Sequence, residues 1–402
     1  MDALVIGAGP AGLMAAGELA RAGRAVTLAE ARPSPARKFL MAGKSGLNLT
    51  MDEPADRFRA AYRCPRLDPI LAEFGPRDVM AWARGLGQEV FTGSSGRVFP
   101  VAMKASPLLR AWLARLDGLG VRLRTRWRWT GFADAGLGFD TPEGRRLLAP
   151  AVTVLALGGA SWARLGSDGA WAAPFAAAGL PLSPFRPANA GLRIDWPETM
   201  ARQFGQPVKG AALRAGPLSS RGEFVISRRG LEGGGIYAVS APVRDGAPLA
   251  LDLAPDLSEA EVAARLARAP GKDSVANRLR KALKLDPVRI ALMQEWGRPL
   301  PGGDRLATLV KHLPVRHDGP RPIDEAISTA GGIAWPGLTG GLELKALPGI
   351  FAAIIGLSGW LHPRVRHLET ELPDVIPDEP PAGAAAPQAA PGIPVEDPAP
   401  VG

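Results

Sequence analysis

The stretch DALVIGAGPAGLMAAGELARAGRAVTLAEA, residues 2–31, decides the fold of this chain. It opens with an uninterrupted apolar run, Ala3 to Ile6, which is typical of a parallel strand whose two faces are both covered. After a glycine-rich turn comes an Ala- and Leu-rich helix, Leu13 to Arg21, and Gly23 then prevents the helix from continuing. A second strand, Ala25 to Ala29, follows. The order of these segments predicts a β-α-β unit at the start of the chain.

The turn between the first strand and the helix has the spacing G-x-G-x-x-G, with glycines at Gly7, Gly9 and Gly12. The first glycine permits a tight turn, the second lets the backbone approach a pyrophosphate, and the third lets the helix pack closely on the strand. Pro10 and Ala11 complete the turn, and the N-terminus of the helix then faces the phosphates. We therefore predict a dinucleotide-binding site here.

Glu30 ends the second strand, eighteen residues after Gly12, and Ala31 follows it. An acidic residue near this position binds the ribose 2′-hydroxyl of a dinucleotide. Because a carboxylate repels a 2′-phosphate, the pattern favours FAD or NAD over NADP as the first-bound cofactor.

The composition is that of a globular enzyme with about two domains: 402 residues, 46% hydrophobic and 22% charged. The net charge of +9 favours anionic partners such as dinucleotides, RNA or acidic lipids. The single cysteine, Cys64, excludes an internal disulfide and a multi-cysteine metal site, so no metal is predicted. We expect a cytoplasmic protein without membrane contact, because no signal peptide is evident and the apolar run Ile350 to Leu357 is short. No obligate protein partner is evident from the sequence.

The glycine-rich loop KFLMAGKSGLNLT, residues 38–50, contains the tripeptide Gly43-Lys44-Ser45. A nucleoside-triphosphate loop requires a glycine five residues earlier, where Lys38 stands, so an ATPase is excluded. Backbone N–H groups of such a loop can still cradle a cofactor, and a solvated surface loop is the alternative. The residues predicted to contact the cofactor are Lys38, Gly43, Lys44, Gly46 and Asn48.

Three later segments add to this picture. SSGRVFPVAMKASP predicts a strand at Val98 to Val101, flanked by Arg97 and Lys104, and a helix that Ser106-Pro107 begins. VRLRTRWRW, residues 121–129, alternates strictly and predicts one half-buried strand with a basic solvent face rather than a nucleic-acid surface, because the tryptophans point away from the arginines. A buried strand at Thr153 to Leu157 runs into the turn Gly158-Gly159, and Ser167-Asp168-Gly169 predicts a helix start.

These segments together resemble the BaiN/RdsA family of FAD-dependent oxidoreductases, some members of which are labelled aminoacetone oxidases. The resemblance covers residues 1 to about 353, and its motifs occur in the family's order: the dinucleotide fingerprint, the loop at 38–50, GRVFP at 96–100, LALGGASW at 155–162, GSDG at 166–169 and STAGGIAW at 328–335.

The resemblance implies an α/β fold: a Rossmann-like FAD-binding domain of the glutathione-reductase type with an inserted β-rich domain that carries a small helical portion. The implied domains are 1–189 and 323–375 for the FAD-binding part, 190–322 for the insertion, and 376–402 for a disordered Pro/Ala-rich tail. Within the insertion, GEFVIS and GGIYAVS read as short strands, and residues 258–296 read as helical with a Ser258-x-x-Glu261 capping box.

The resemblance also implies hydride transfer from reduced flavin to an activated C=C bond, with NAD(P)H as a transient reductant. The implied acceptor is a steroid-like enone or a ribosomal-RNA uridine, so contact with rRNA is a second possibility, and a degenerate flavoprotein that only binds nucleotide is a third. Gly158 and Gly159 are expected to touch FAD, while the weak catalytic candidates are Lys44, Asn48, Arg97 and Lys104. His312 and His317 are expected to be structural or at the surface.

The stretch LPGIFAAIIGLSGWLHP, residues 347–363, departs from the family's pattern. Ile350 to Ala353 reads as the last strand of the nucleotide-binding sheet, but the Gly-Glu turn and the Thr-Gly-Gly-Tyr helix that follow it in the family are absent. Two explanations stay open: a diverged or frame-disrupted C-terminus, or a variant that closes the flavin site differently. The first explanation predicts weak flavin retention.

Overall fold

The computed structural model describes residues 1–43, 46–62, 64–94, 96–134, 136–269 and 272–353. Its strands are β1 Ala3–Ile6, β2 Val26–Glu30, β3 Thr50–Met51, β4 Val90–Thr92, β5 Arg97–Pro100, β6 Arg122–Thr125, β7 Arg128–Ala133, β8 Gly136–Thr141, β9 Gly144–Leu148, β10 Val152–Leu155, β11 Leu182–Ala188, β12 Leu192–Arg193, β13 Pro207–Val208, β14 Ala212–Ala215, β15 Leu218–Ser220, β16 Phe224–Ser227, β17 Gly230–Glu232, β18 Leu249–Asp252, β19 Leu313–Pro314, β20 Ser328–Ile333 and β21 Ile350–Ala352.

The helices are α1 Pro10–Arg21, α2 Arg37–Ala42, α3 Ala55–Ala61, α4 Asp68–Glu73, α5 Pro76–Gly85, α6 Ala105–Gly118, α7 Ala172–Ala177, α8 Gly234–Arg244, α9 Glu259–Ala267, α10 Val275–Leu283, α11 Pro287–Gly297 and α12 Asp304–Lys311. None of these helices combines the length and apolarity needed to cross a membrane. The described residues divide into two units, one made of 1–186 with 330–353 and the other of Pro187–Thr329.

The first unit is organised by a five-stranded parallel sheet with the order β21-β10-β1-β2-β6. The predicted strand Ala3 to Ile6 is confirmed as β1, and all four of its residues are buried. Ala3 and Val5 pack in one apolar cluster together with side chains of α1 and α6, whereas Leu4 and Ile6 pack in another with side chains of β7, β8 and α7. Both faces of β1 are therefore covered, which explains its uninterrupted apolar run.

The order of the sheet places a switch point beside β1. From β1 the chain proceeds to β2 and β6 on one side, and it later adds β10 and β21 on the other. Ligands of open α/β sheets bind outside the carboxyl ends of the strands at such a point. The predicted final strand at Ile350 to Ala353 is confirmed as β21, which pairs in parallel with β10.

The stretch VRLRTRWRW does not form the one strand that its alternation predicts. Arg126 adopts φ +58° and separates β6, at the edge of the parallel sheet, from β7, which belongs to a three-stranded antiparallel sheet. The alternation of burial nevertheless persists, so the predicted basic solvent face is confirmed: Arg122, Arg124, Arg126 and Arg128 are all exposed. Side-chain alternation alone therefore could not reveal that the backbone turns from one sheet to another.

The second unit contains two four-stranded antiparallel sheets, β12-β17-β16-β13 and β15-β14-β18-β19, and the helices α8 to α12 around one apolar core. The predicted strand GEFVIS is confirmed by β16, and the predicted helical stretch by α9, α10 and α11. The capping box is also confirmed, because Ser258 Oγ accepts the Glu261 N–H at 3.3 Å while Glu261 Oε2 accepts the Ser258 N–H at 2.7 Å.

The strand predicted for GGIYAVS is wrong, because residues 234–240 form the first two turns of α8. Ile236, Val239 and Val243 are buried at helical spacing, and they belong to the same core as side chains of β14 and β18. The helix begins where the backbone is crowded, since a Cβ on Gly235 would lie 2.2 Å from the carbonyl oxygen of Gly222. Packing onto a sheet therefore overrode the strand preference of the Ile, Tyr and Val residues.

The two histidines that the sequence assigns to structural or surface roles lie in the second unit. His317 is half-buried and its Nδ1 accepts the N–H of Gly319 at 3.0 Å, and burial lowers the pKa of its imidazole. His312 is about half exposed and lies 3.9 Å from a carboxylate oxygen of Glu259. The described residues contain no group of three or more His, Cys, Asp or Glu side chains arranged to hold a metal ion.

Candidate functional site

The turn after β1 gives its three glycines different surroundings. Gly7 adopts φ +101°, and a Cβ on it would lie 2.2 Å from the carbonyl oxygen of Ala156. A Cβ on Gly12 would lie 1.7 Å from the carbonyl oxygen of Gly7, so the first turn of α1 packs directly on the loop. Gly9 precedes α1, and a Cβ on it would meet nothing within 4 Å. The open space in front of Gly9 is where a pyrophosphate could approach the helix N-terminus.

The carboxylate of Glu30 lies at the same edge of the sheet and is held by two backbone groups. Its Oε2 accepts the N–H of Ala8 at 2.9 Å, and its Oε1 accepts the N–H of Arg32 at 2.8 Å. Burial raises the pKa of the Glu30 carboxyl above its ordinary value, and the hydrogen bonds from Arg32 and Ala8 oppose that rise. A carboxylate oriented in this way keeps lone pairs for the hydroxyl groups of a ribose.

Two segments that are distant in sequence meet beside this turn. Lys38 Nζ, on α2, donates to Ser161 Oγ at 2.6 Å, and Ser161 is completely buried. Gly158, at the predicted second glycine turn, adopts φ +72° and its carbonyl oxygen accepts the indole N–H of Trp171 at 3.0 Å. The predicted cofactor loop and the predicted turn at Gly158-Gly159 are thus brought together at the carboxyl ends of β1, β2 and β10.

The most informative side chain of the loop is Asn48. Both of its amide atoms are inaccessible to solvent, and neither has a hydrogen-bond partner among the described residues. The hydroxyl of Thr50, a residue with no exposed surface, also has no hydrogen-bond partner among the described residues. A buried polar group without a partner costs about 1–3 kcal/mol. A bound molecule that offers a donor and an acceptor would remove this cost.

The remaining predicted residues lie around the same loop. A Cβ on Gly43 would lie 2.5 Å from the Cβ of Ala105, so the loop packs on the start of α6 beside the exposed Lys104. Arg97 is half-buried on β5, opposite Met51 of β3. Lys44 lies outside the described residues, as do the predicted return segment after residue 353 and the tail at 376–402.

Sequence reasoning missed Arg32. Its Nη2 donates to the carbonyl oxygen of Ala163 at 2.7 Å and lies 3.7 Å from a carboxylate oxygen of Asp168, so it links the end of β2 to the segment after Gly158-Gly159. The only signal in the sequence is its position two residues after Glu30. The helix start predicted at Ser167-Asp168-Gly169 is wrong: Asp168 Oδ1 accepts the N–H of Ala170, and α7 begins at Ala172.

The glycine cradle, the oriented carboxylate and the Asn48 amide, which has no partner within the part of the chain that the structure describes, define a dinucleotide-binding protein with a Rossmann-type fold, and these residues fit FAD. The model of the HI0933-like protein Rossmann domain matches residues 1–361, and the chain belongs to this family, which is the BaiN/RdsA-type flavoprotein family. The predicted family is thereby confirmed. The predicted α/β fold class is also confirmed, as a Rossmann-type FAD-binding domain with additional antiparallel sheets.

Among curated proteins, the chain is similar to a 3-dehydro-bile acid Δ4,6-reductase from Clostridium scindens, with 30% identity over 250 residues. The match covers 60% of this chain and 60% of the length of that relative. Family membership and this reductase relative support the predicted class, an FAD-dependent oxidoreductase.

Solved structures with a similar fold include a 3-ketosteroid-Δ4-(5α)-dehydrogenase from Rhodococcus jostii RHA1 in complex with 4-androstene-3,17-dione. It is 15% identical, with 87% of this chain and 89% of that chain covered and a TM-score of 0.46. The open conformation of a flavocytochrome c3 fumarate reductase is 17% identical, with 87% and 72% covered and a TM-score of 0.43.

Proposed function

We propose that this chain is an FAD-dependent oxidoreductase that reduces an activated C=C bond of an enone or uracil-like acceptor, with NAD(P)H as the reductant. The observation that carries the proposal is the open space in front of Gly9, which the oriented carboxylate of Glu30 adjoins at the same sheet edge. FAD, when bound, supplies the two-electron chemistry, and the protein supplies binding, orientation and electrostatics. The bile acid reductase relative supports an enone as the acceptor.

The residues that would bind FAD are distinct from those that would stabilise the acceptor. Backbone N–H groups after Gly9 would bind the pyrophosphate, Glu30 would accept hydrogen bonds from the ribose, and the Asn48 amide would bind a polar edge of the flavin. Arg97 and Lys104 would stabilise the negative charge that develops on the acceptor carbonyl. Lys44 is proposed for the same environment.

The test is a titration of the purified protein with FAD, followed by anaerobic assays with NADH or NADPH and a simple enone. We expect saturable FAD binding and oxidation of the nicotinamide nucleotide only when FAD and enone are both present. Because the family's C-terminal flavin motif is absent from the sequence, we expect little flavin to remain after purification, so FAD must be added. Saturable binding without any turnover would instead support a flavoprotein that only binds nucleotide.

A second candidate, an rRNA dihydrouridine synthase, is favoured by one observation on the first unit. Arg122, Arg124, Arg126 and Arg128 are exposed, and the guanidinium of Arg146, on β9, lies 6.0 Å from the centre of the Trp127 indole ring. Exposed arginines bind phosphates, and arginine with an aromatic ring is a common contact for single-stranded bases. Affinity for rRNA that falls steeply with salt, together with loss of uridine absorbance, would distinguish this function from small-molecule reduction.

A further inference from the structure

A groove of about 610 Å³, which we name the edge groove, lies at the open edge of the parallel sheet, between β6 and the C-terminal end of α6. Its floor is apolar, with Leu28 of β2 and Leu113 and Leu116 of α6 among the buried or half-buried side chains that line it. Arg122 and Arg124 of β6 also line it, and both are exposed. An apolar floor beside exposed guanidinium groups suits a chain segment that carries both apolar and acidic side chains.

The arginines of the edge groove are available to an acidic partner. Within the described part of the chain, neither Arg122 nor Arg124 forms an ion pair, and Asp117 is the one acidic residue among the described residues that line the groove. In the described sheet β6 pairs only with β2, so the other side of its backbone is an open edge that a further chain segment could adjoin. A second copy of β6 would place arginines against arginines, which is unfavourable.

A segment with the complementary composition follows β21 in the sequence. Residues 368–379, LETELPDVIPDE, lie outside the described residues and are named here the acidic segment. Its acidic residues are Glu369, Glu371, Asp374, Asp378 and Glu379, and its apolar residues other than proline are Leu368, Leu372, Val375 and Ile376. Arg366 is the last Lys or Arg of the sequence, although the whole chain carries +9. The acidic segment therefore has the opposite charge to the edge groove.

The length of the connecting chain allows the acidic segment to reach the edge groove. β21 and β6 are the two outer strands of one five-stranded sheet, so about 19 Å separates them at a spacing of about 4.8 Å between neighbouring strands. The fourteen residues 354–367 that connect β21 to the acidic segment can span about 45 Å when extended. A tethered segment binds as if it were present at about millimolar concentration, so even weak surface ion pairs can hold it.

We propose that the acidic segment binds in the edge groove, with its carboxylates on Arg122 and Arg124 and its apolar side chains on the leucine floor. The segment then covers the open edge of β6 and competes with other anions for these two arginines. This contact goes beyond the proposed oxidoreductase activity, and it requires neither FAD nor an acceptor.

The experiment measures how fast a glutamate-specific endoproteinase cuts the FAD-saturated full chain after Glu369 and Glu371, with mass spectrometry as the readout. The test variant is Arg122→Ser/Arg124→Ser. Its acidic segment should be cut about fivefold faster than that of the wild type, because the variant lacks two surface ion pairs that hold a tethered segment. Added salt should accelerate cutting in the wild type, relative to a free synthetic peptide of the same sequence, because salt screens exposed charges.

The matched control is Arg145→Ser/Arg146→Ser, which removes the same charge from two exposed positions of β9. Its acidic segment should be cut at the wild-type rate, and Arg122→Lys/Arg124→Lys, which keeps both positive charges, should retain most of the protection. Glu18 is 3% exposed, so cutting after this residue would reveal unfolding. We expect no such cut in any of the four proteins.

Equal cutting of the acidic segment in the wild type and the test variant would overturn the proposal. Equal acceleration in the test variant and the control would also overturn it, because net charge rather than the edge groove would then hold the segment. With unchanged cutting, weaker binding of a fluorescent single-stranded oligonucleotide to the test variant would identify the groove as a nucleic-acid surface instead. With unchanged cutting, an altered sedimentation coefficient would identify it as a contact between copies. The same cutting rates are expected without FAD, so failure of the oxidoreductase assay would leave this result standing.

Discussion

At the scale of single residues, the glycines of the first turn show that members of one motif can have opposite surroundings. Gly9 faces open space, whereas Gly12 touches the backbone of Gly7. A methyl group added at Gly9 should therefore affect ligand binding, whereas one added at Gly12, three residues later, should affect folding.

We expect Gly9→Ala to fold with an unchanged melting temperature and to bind FAD at least about tenfold more weakly, because the methyl group enters the space that a pyrophosphate needs. Gly12→Ala should instead lose about 1–3 kcal/mol of unfolding free energy through overpacking. Isothermal titration and urea unfolding of both variants test the pair. Wild-type FAD affinity in Gly9→Ala would contradict the proposed site.

Glu30 provides a prediction about pH. Burial raises its pKa, so the folded protein holds this proton more tightly than the unfolded chain does. Its contribution to stability is therefore present below the ordinary pKa of about 4.3 and is lost as pH rises through the higher folded pKa. Relative to Glu30→Gln, the unfolding free energy of the cofactor-free wild type should fall across this window.

Over the same pH window the affinity of the wild type for FAD should rise, because ribose hydroxyls donate hydrogen bonds to the ionised carboxylate. Glu30→Gln should show no such rise. Unfolding curves and FAD titrations at closely spaced pH values provide both measurements. A stability difference that grows with pH would contradict the raised pKa.

At the scale of elements, the site depends on contacts between segments that no local pattern connects. The residue pair Lys38 and Ser161 joins α2 to the segment after β10 across 123 positions of the chain. The three predicted segments, at 7–12, 38–50 and 158–159, converge because β1, β2 and β10 are adjacent and parallel. The carboxyl ends of such strands necessarily share one edge.

Ser161→Ala should lower FAD affinity about threefold to tenfold, because the ammonium group of Lys38 loses a buried acceptor and the loop is held less firmly. The matched control is Ser240→Ala, which removes an equally buried serine hydroxyl in the second unit. Fluorescence titration with FAD measures both variants. Equal affinities would show that the bond from Lys38 does not position the loop.

At the scale of the whole molecule, the first unit has an apolar cluster on each face of its parallel sheet, whereas the second unit has one apolar core and also buries the charged side chains of Asp252 and Lys311. Asp252 has no exposed surface and accepts from Arg214 at 2.9 Å and from the N–H of Ala254 at 3.1 Å, while its Oδ2 lies 2.8 Å from Nζ of the buried Lys311. Removing one partner of such a group leaves an uncompensated buried charge.

Asp252→Ala should therefore lose about 3–5 kcal/mol of unfolding free energy. The matched control is Asp256→Ala, which removes an exposed pair with Arg221 and should change the unfolding free energy by less than about 1 kcal/mol. Urea unfolding measures both, and FAD affinity under native conditions should stay at the wild-type value in both. Equal stabilities of the two variants would contradict the assigned role of the buried charges.

The sequence by itself determined the β-α-β unit, the three glycines, Glu30 and the family, because tight turns, apolar strands and phosphate contacts each impose a residue type at a fixed local spacing. Tertiary structure alone decided that GGIYAVS is helical, that the strand at 121–129 breaks at Arg126, and that Lys38 meets Ser161. Those outcomes depend on packing between segments far apart in the chain, and a local sequence pattern does not specify which distant segment will pack against it.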